Sequence, residues 1–150
     1  MQQLNLPFFG FNIKEQNGQN RIFDHIRKKY VHLTPEEWVR QHFIRYLSEH
    51  KNYPLSLIAV EKELRVNKLK RRPDIVVFNR NHQPLLVVEC KAPSVSITQD
   101  TFDQIARYNI SLQVQYLVVT NGMEHYCCKI INEKEYIFLK DIPGFNEIIS

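Results

Sequence analysis

An aspartate, Asp74, and an acid–base pair two residues apart, Glu89 and Lys91, are the residues of this chain whose types and spacing could do chemistry. Side chains alternate across a strand, so Glu89 and Lys91 project from one face while Cys90 points to the other. If the strand led by Asp74 and the strand ending at Cys90 pair as a hairpin, the two carboxylates come together at one sheet edge. Two carboxylates suit a hard cation such as Mg2+, with Mn2+ able to substitute, because Mg2+ takes oxygen ligands and commonly uses one or two protein carboxylates plus waters and substrate phosphate oxygens. The backbone carbonyl of Cys90 could add a further ligand. A lysine beside such a centre can orient or help deprotonate an attacking water, or stabilise charge on a phosphorane-like transition state. The chemistry indicated is phosphodiester hydrolysis. The competing reading is a structural ion pair, Glu89 with Lys91 or Asp74 with Arg72. Both acids interrupt apolar strands, where a carboxylate is costly unless paired or metal-bound.

The elements that must position these residues can be read from periodicity. Asp74 to Phe78 and Pro84 to Cys90 read as strands joined by the polar connection Asn79–Gln83, which is of hairpin length. Their continuous apolar character is that of strands covered on both faces. Ahead of them, Thr34 as N-cap, Pro35 at the first helical position and Glu37 three residues after the cap predict a helix with a capping box. Val39, Phe43, Ile44 and Leu47 recur at helical spacing to about Glu49, and Glu36 can pair with Arg40 at i, i+4. Leu57 to Val66 reads as one partly alternating strand. A second helix runs from Thr98 to Leu112, followed by a buried strand, Tyr116 to Thr120, that ends at the turn signal Asn121-Gly122. Tyr126–Ile131 and Glu135–Leu139 read as a closing hairpin, and residues 141–146 as a loop or short helix. Residues 1–30 read as an irregular N-terminal extension packing on the core, with Ile22-Phe23-Asp24 a possible strand. No linker divides the chain, so residues 1–150 are expected to form one domain. A helix between the third and fourth core strands allows those two to lie parallel with helices on each face, giving an α/β fold.

Bulk composition narrows the function classes. The 43% hydrophobic and 24% charged shares are those of a globular protein, and no apolar run approaches the ~20 residues that span a bilayer. The N-terminus lacks a signal-peptide pattern, and three cysteines do not make a disulfide framework, so a cytoplasmic protein is expected. Cys127-Cys128 has no zinc-ligand spacing, and on a strand one of the two would be buried. The net charge of +4 is compatible with nucleic acid without requiring it. Lys68, Lys70, Arg71 and Arg72 lead directly into Pro73-Asp74, either as a solvated basic turn or as positive charge beside the acidic centre.

Two further features join the set. Glu37 is either a helix-cap residue or an additional acid facing the centre. Gln104 and Tyr108 lie one helical turn apart and share a face, so an amide and a phenol can reach one target. The order of these features, with "TPEEWVRQ" (34–41), "RRPDIVVF" (71–78), "LLVVECKAP" (85–93), "QIARYN" (104–109) and "YLVVTNG" (116–122), resembles the PD-(D/E)xK nuclease superfamily, and more narrowly the N-terminal nuclease domain of type I restriction enzyme R subunits. The resemblance covers roughly residues 30–125. It implies a restriction-endonuclease-like αβββαβ core with a mixed central sheet flanked by helices. It also implies Mg2+ at Asp74 and Glu89, a catalytic Lys91, a QxxxY pair in Gln104 and Tyr108, and Glu37 as the first-helix acid that often completes the metal site. The chain has no GxxxxGK[ST] loop or helicase segment, so motor activity does not carry over. The expectation is therefore a Mg2+-dependent DNA endonuclease, working as a homodimer or with motor and specificity subunits. The alternative is a nuclease-fold module that binds DNA or protein without cutting.

Overall fold

The computed structural model describes residues 1–149. Three short strands, β1 (Ile13–Gln16), β2 (Gln19–Asp24) and β3 (Lys29–His32), form an antiparallel meander at the start of the chain. This corrects the reading of residues 1–30 as irregular. The missed signal is Asn17-Gly18, where both residues take positive φ (54° and 77°), as a tight two-residue hairpin turn requires. The extension is tied to the body by Trp38 Nε1, which donates to the Gln2 carbonyl at 2.7 Å, and by the Asn5 N–H, which donates to the Gly122 carbonyl at 2.9 Å. Gly122 has φ +85°, and a Cβ there would meet Leu4 Cδ2 at 2.8 Å, so this contact needs glycine.

Helix α1 (Pro35–His50) follows, with the Thr34 hydroxyl accepting from the Glu37 N–H at 3.1 Å. The reciprocal half of the expected capping box is not made: the Thr34 N–H donates to the His32 carbonyl, and the Glu37 carboxylate is engaged elsewhere. After a short 3-10 turn at Leu55–Leu57 come β4 (Ile58–Val60), β5 (Leu64–Val66) and β6 (Leu69–Arg71). The single strand expected from Leu57 to Val66 is therefore broken. Glu61 sits at φ +52° between β4 and β5, and β5 pairs with β6 in its own two-stranded hairpin.

The core sheet also contains β7 (Ile75–Phe78), β8 (Pro84–Cys90), β9 (Tyr116–Thr120), β10 (His125–Ile130) and β11 (Tyr136–Leu139). Helix α2 (Gln99–Ile110) connects β8 to β9, and α3 (Phe145–Ile148) closes the chain. The strand order is β11-β10-β9-β8-β7-β4, with β8 and β9 parallel and the other pairings antiparallel. This is the mixed sheet expected for the αβββαβ arrangement.

Both faces of the sheet are buried, and alternation sorts the side chains between two cores. Ile75, Val77, Leu86, Val88, Val118 and Cys127 pack under the α1 stripe of Val39, Phe43, Ile44 and Leu47. Val76, Val87, Leu117, Val119 and Cys128 pack under Phe102 and Ala106 of α2. Each fully buried aliphatic side chain contributes about 1.5–3 kcal/mol. Cys127 and Cys128 are both buried, one in each core, rather than only one of them, because the sheet is covered on both sides.

Candidate functional site

The hairpin register sets the centre. Ile75 pairs with Val88 across the antiparallel β7–β8 ladder, which brings Asp74, in the bend just before β7, opposite Glu89. Asp74 Oδ2 accepts a hydrogen bond from the Cys90 backbone N–H at 2.7 Å, so the acid is locked onto the strand that carries its partner. On the other side of β8, the parallel ladder with β9 continues past the strand end, where the Lys91 N–H donates to the Thr120 carbonyl at 2.8 Å. Glu89, Cys90 and Lys91 are thus held by neighbours on both sides.

Electrostatics set the two acids apart from ordinary surface carboxylates. Burial pushes the Glu89 carboxyl up to about 8, helped by the adjacent Asp74 carboxylate, to which protonated Glu89 donates a hydrogen bond, and opposed by Lys91. Burial also raises the Asp74 carboxyl, against the lowering pull of the Cys90 N–H, Arg40 and Lys91. Neither expected structural ion pair forms. Among the described residues, the cation within 4.0 Å of Asp74 is Arg40, at 3.8 Å, and Lys91 makes no ion pair. Two partly buried acids with raised carboxyls face each other, and a lysine that makes no ion pair among the described residues stands nearby.

Glu37 lies beside this centre in a different state. Its Oε1 accepts from Arg27 Nη2 at 2.8 Å and Arg40 Nη2 at 2.5 Å, while Oε2 accepts from Arg40 Nε at 3.0 Å and Gln41 Nε2 at 2.9 Å. Burial works to raise its carboxyl, but the hydrogen bonds from Arg40, Gln41 and Arg27 outweigh it and hold the group down to about 2. Four donors on two oxygens leave Glu37 committed to the arginines. Arg40 pairs with Glu37 at i, i+3, not with Glu36 as the i, i+4 spacing suggested. The network extends through Arg40 to Glu61 at 3.3 Å and through Arg27 to Asp24, a fully buried acid that also accepts from Gln41 at 3.0 Å. Glu37, Arg40, Glu61, Asp74 and Cys90 line one small pocket of about 190 Å3.

Sequence reasoning missed Asp24, Arg27, Gln41 and Glu61. Arg40 and Gln41, three and four residues after Glu37 on the same helix, carried a local signal. Asp24 and Arg27 arrive through the meander, and Glu61 through the break between β4 and β5.

Gln104 and Tyr108 lie on the exposed side of α2, and neither hydrogen-bonds Asp74, Glu89 or Lys91 among the described residues. Tyr108 is instead capped by Arg71, whose guanidinium lies 3.9 Å above the ring and whose Nε donates to the Tyr108 carbonyl at 3.4 Å. By alternation Glu89 and Lys91 point to the same side of the sheet as α2. A much larger cavity, about 880 Å3, lies between the β5–β6 turn, the end of α2 and the β10–β11 turn, and contains none of the predicted site residues.

The donor set suits a divalent cation on one side and not the other. Asp74 and Glu89 supply two carboxylates, the usual protein share of a Mg2+ site, whereas the Glu37 oxygens already accept four hydrogen bonds.

Comparison with known proteins agrees with this architecture. A candidate nuclease belonging to DUF820 from Anabaena variabilis ATCC 29413 has a similar fold, with a TM-score of 0.51 over 90% of this chain and 87% of that one at 10% sequence identity. No curated protein sequence matches the chain. Residues 35–143 match the family described as the type I restriction enzyme R protein N terminus. That span takes in both core helices, all six strands of the core sheet and the Asp74–Glu89 hairpin, so the chain belongs to the type I restriction enzyme R protein N-terminus family, a restriction-endonuclease-like nuclease domain.

Proposed function

We propose that this domain is a Mg2+-dependent deoxyribonuclease that hydrolyses phosphodiester bonds at the Asp74–Glu89–Lys91 centre. The observation that carries the reading is the Asp74–Glu89 pair itself: two half-buried, opposed carboxylates with the Glu89 carboxyl raised to about 8. Such a pair is electrostatically unfavourable without a cation and ready to receive one. When bound, the metal lowers the pKa of a coordinated water and offsets phosphate charge. Asp74 and Glu89 would hold it, with the Cys90 carbonyl as a further ligand.

The chain's own residues do the rest. The Cys90 N–H fixes the Asp74 carboxylate in place. Lys91, which makes no ion pair among the described residues, is available to orient an attacking water or to stabilise negative charge on the phosphoryl oxygens. Arg40 stands at 3.8 Å from Asp74 and is held there by Glu37 and Glu61, so Glu37 acts on the centre through this guanidinium. Family membership supports DNA as substrate and other restriction subunits as partners.

The test is cleavage of supercoiled and linear DNA with Mg2+ or Mn2+ by wild type, Asp74→Ala and Lys91→Ala. Metal-dependent cutting lost in both variants supports the assignment. Equal cutting by all three removes it.

A further inference from the structure

The β5–β6 hairpin has an outward face that the hydrolytic centre does not use. Between residues 62 and 72 the chain carries Lys62, Arg65, Lys68, Lys70, Arg71 and Arg72 against a single acid, Glu63. Alternation turns Leu64 and Val66 toward the α2 core and leaves Arg65, Lys68, Lys70 and Arg72 exposed. In the hairpin register Arg65 stands directly opposite Lys70. Like charges directly opposite across a strand pair are destabilising, and Arg65 finds local relief only in Glu63 at 3.1 Å. The surrounding cations also hold the Glu63 carboxyl low, Arg65 chiefly, with Lys70 and Arg72 contributing. Charge on an exposed edge can protect it from aggregation, but that needs no single sign and no facing pair of cations.

Two contacts aim this hairpin. Arg71 is clamped onto Tyr108 of α2 by stacking at 3.9 Å and by its bond to the Tyr108 carbonyl. Beyond Arg71, only Arg72 and the buried Pro73 separate the clamped strand from Asp74, so the cationic face lies two residues along the chain from the acidic centre.

We propose that the outward face of the β5–β6 hairpin, through Arg65, Lys70, Lys68 and Arg72, grips the phosphate backbone of duplex DNA and holds one strand against the Asp74–Glu89 centre. This rests on the nuclease reading for what happens to the bound strand, but the grip itself is independent of metal and of cutting. Because it touches phosphates and no base edge, binding here is insensitive to sequence.

The experiment is fluorescence anisotropy of a labelled duplex in EDTA, with the observed association constant followed against salt concentration. It compares wild type, Arg65→Gln/Lys70→Gln, and the equal-charge control Lys51→Gln/Arg80→Gln. The control residues cluster around Phe145, at the opposite end of β7 and β8 from Asp74. Each phosphate contact contributes about 0.9 to the log–log slope, so the hairpin variant should lose about two from the slope while the control keeps the wild-type value. Thermal melts should not fall, since both substituted side chains are exposed and the substitution removes their facing like charges. Equal slopes for wild type and the hairpin variant overturn the proposal, as does an equal loss in the control or no duplex binding by wild type. Binding with the expected slope change but no cleavage with Mg2+ supports this surface while removing the nuclease reading, so the two can fail separately.

Discussion

Asp74 and Glu89 face each other across the β7–β8 hairpin, and the Cys90 N–H that Asp74 Oδ2 accepts at 2.7 Å fixes one acid to the strand of the other. The bond does two things at once. It satisfies part of a half-buried carboxylate, and it places that carboxylate beside Glu89, whose carboxyl it helps to raise.

The Glu89 contribution to stability without metal should fall as pH rises. The Glu89 carboxyl titrates at 4.5 when unperturbed and at about 8 in the folded protein, so between these values the native state holds a proton that the unfolded chain has lost. The stability from this group is complete below about 4.5 and is lost through about 8. His42 and His125, both lowered by burial, push the other way over part of this range, so the variant isolates the effect: in EDTA the thermal midpoint of wild type relative to Glu89→Gln should decline across the window. Parallel curves would show that the Glu89 carboxyl is not raised in the folded protein.

Glu37 should matter chiefly to the fold. Glu37→Ala removes the closest partner of Arg40, but Arg27 keeps Asp24 and Arg40 keeps Glu61, so the cost should fall below that of a buried charge left with no partner, about 3–5 kcal/mol. Urea denaturation measures this. Glu37→Gln, which keeps two of the acceptor bonds on its amide oxygen, should be milder and should leave divalent-cation affinity within a few-fold of wild type. A loss of cation affinity equal to that of Asp74→Asn would make Glu37 a direct ligand.

Much of this arrangement was legible in the sequence, because it depends on local rules. Alternation and hairpin length placed Asp74 near Glu89, and the apolar strands forecast a sheet covered on both sides. The Thr34 cap and the helical pattern from Thr98 to Leu112 located both main helices to within a few residues. What was not legible depends on distant partners. Whether Glu37 would cap its helix, bind metal or pair with arginine turns on Arg27, ten residues earlier, and on the meander that presents it. The break at Glu61 is likewise fixed from outside: its N–H donates to the Asp74 carbonyl at 3.3 Å, a tertiary contact invisible in the alternation of Leu57–Val66.

Lys91 should be dispensable for folding and needed for turnover. Its ammonium makes no ion pair among the described residues, so Lys91→Ala should change stability by no more than about 0.5 kcal/mol while lowering kcat by about 10²–10⁴-fold. Single-turnover cleavage alongside thermal melts separates the two. A variant that unfolds at markedly lower temperature would show Lys91 to be structural.

Tyr108 and Gln104 should divide in the same way. Tyr108→Ala removes the ring under Arg71 and should cost about 0.5–1 kcal/mol, whereas Gln104→Ala, on the exposed face of α2, should be neutral to stability. Any fall in cleavage by Gln104→Ala then reports contact with substrate. Unchanged cleavage kinetics would leave Gln104 as surface.

The Asp74–Glu89 pair should bind a divalent cation in place of the Glu89 proton. Calorimetric titration with Mn2+ near neutral pH, in two buffers of different ionisation enthalpy, measures binding and proton release together. The prediction is one site, release of close to one proton per ion, and loss of binding in Asp74→Asn and Glu89→Gln with retention in Glu37→Gln. Mn2+ binding with no proton release and undiminished affinity in Asp74→Asn would contradict it.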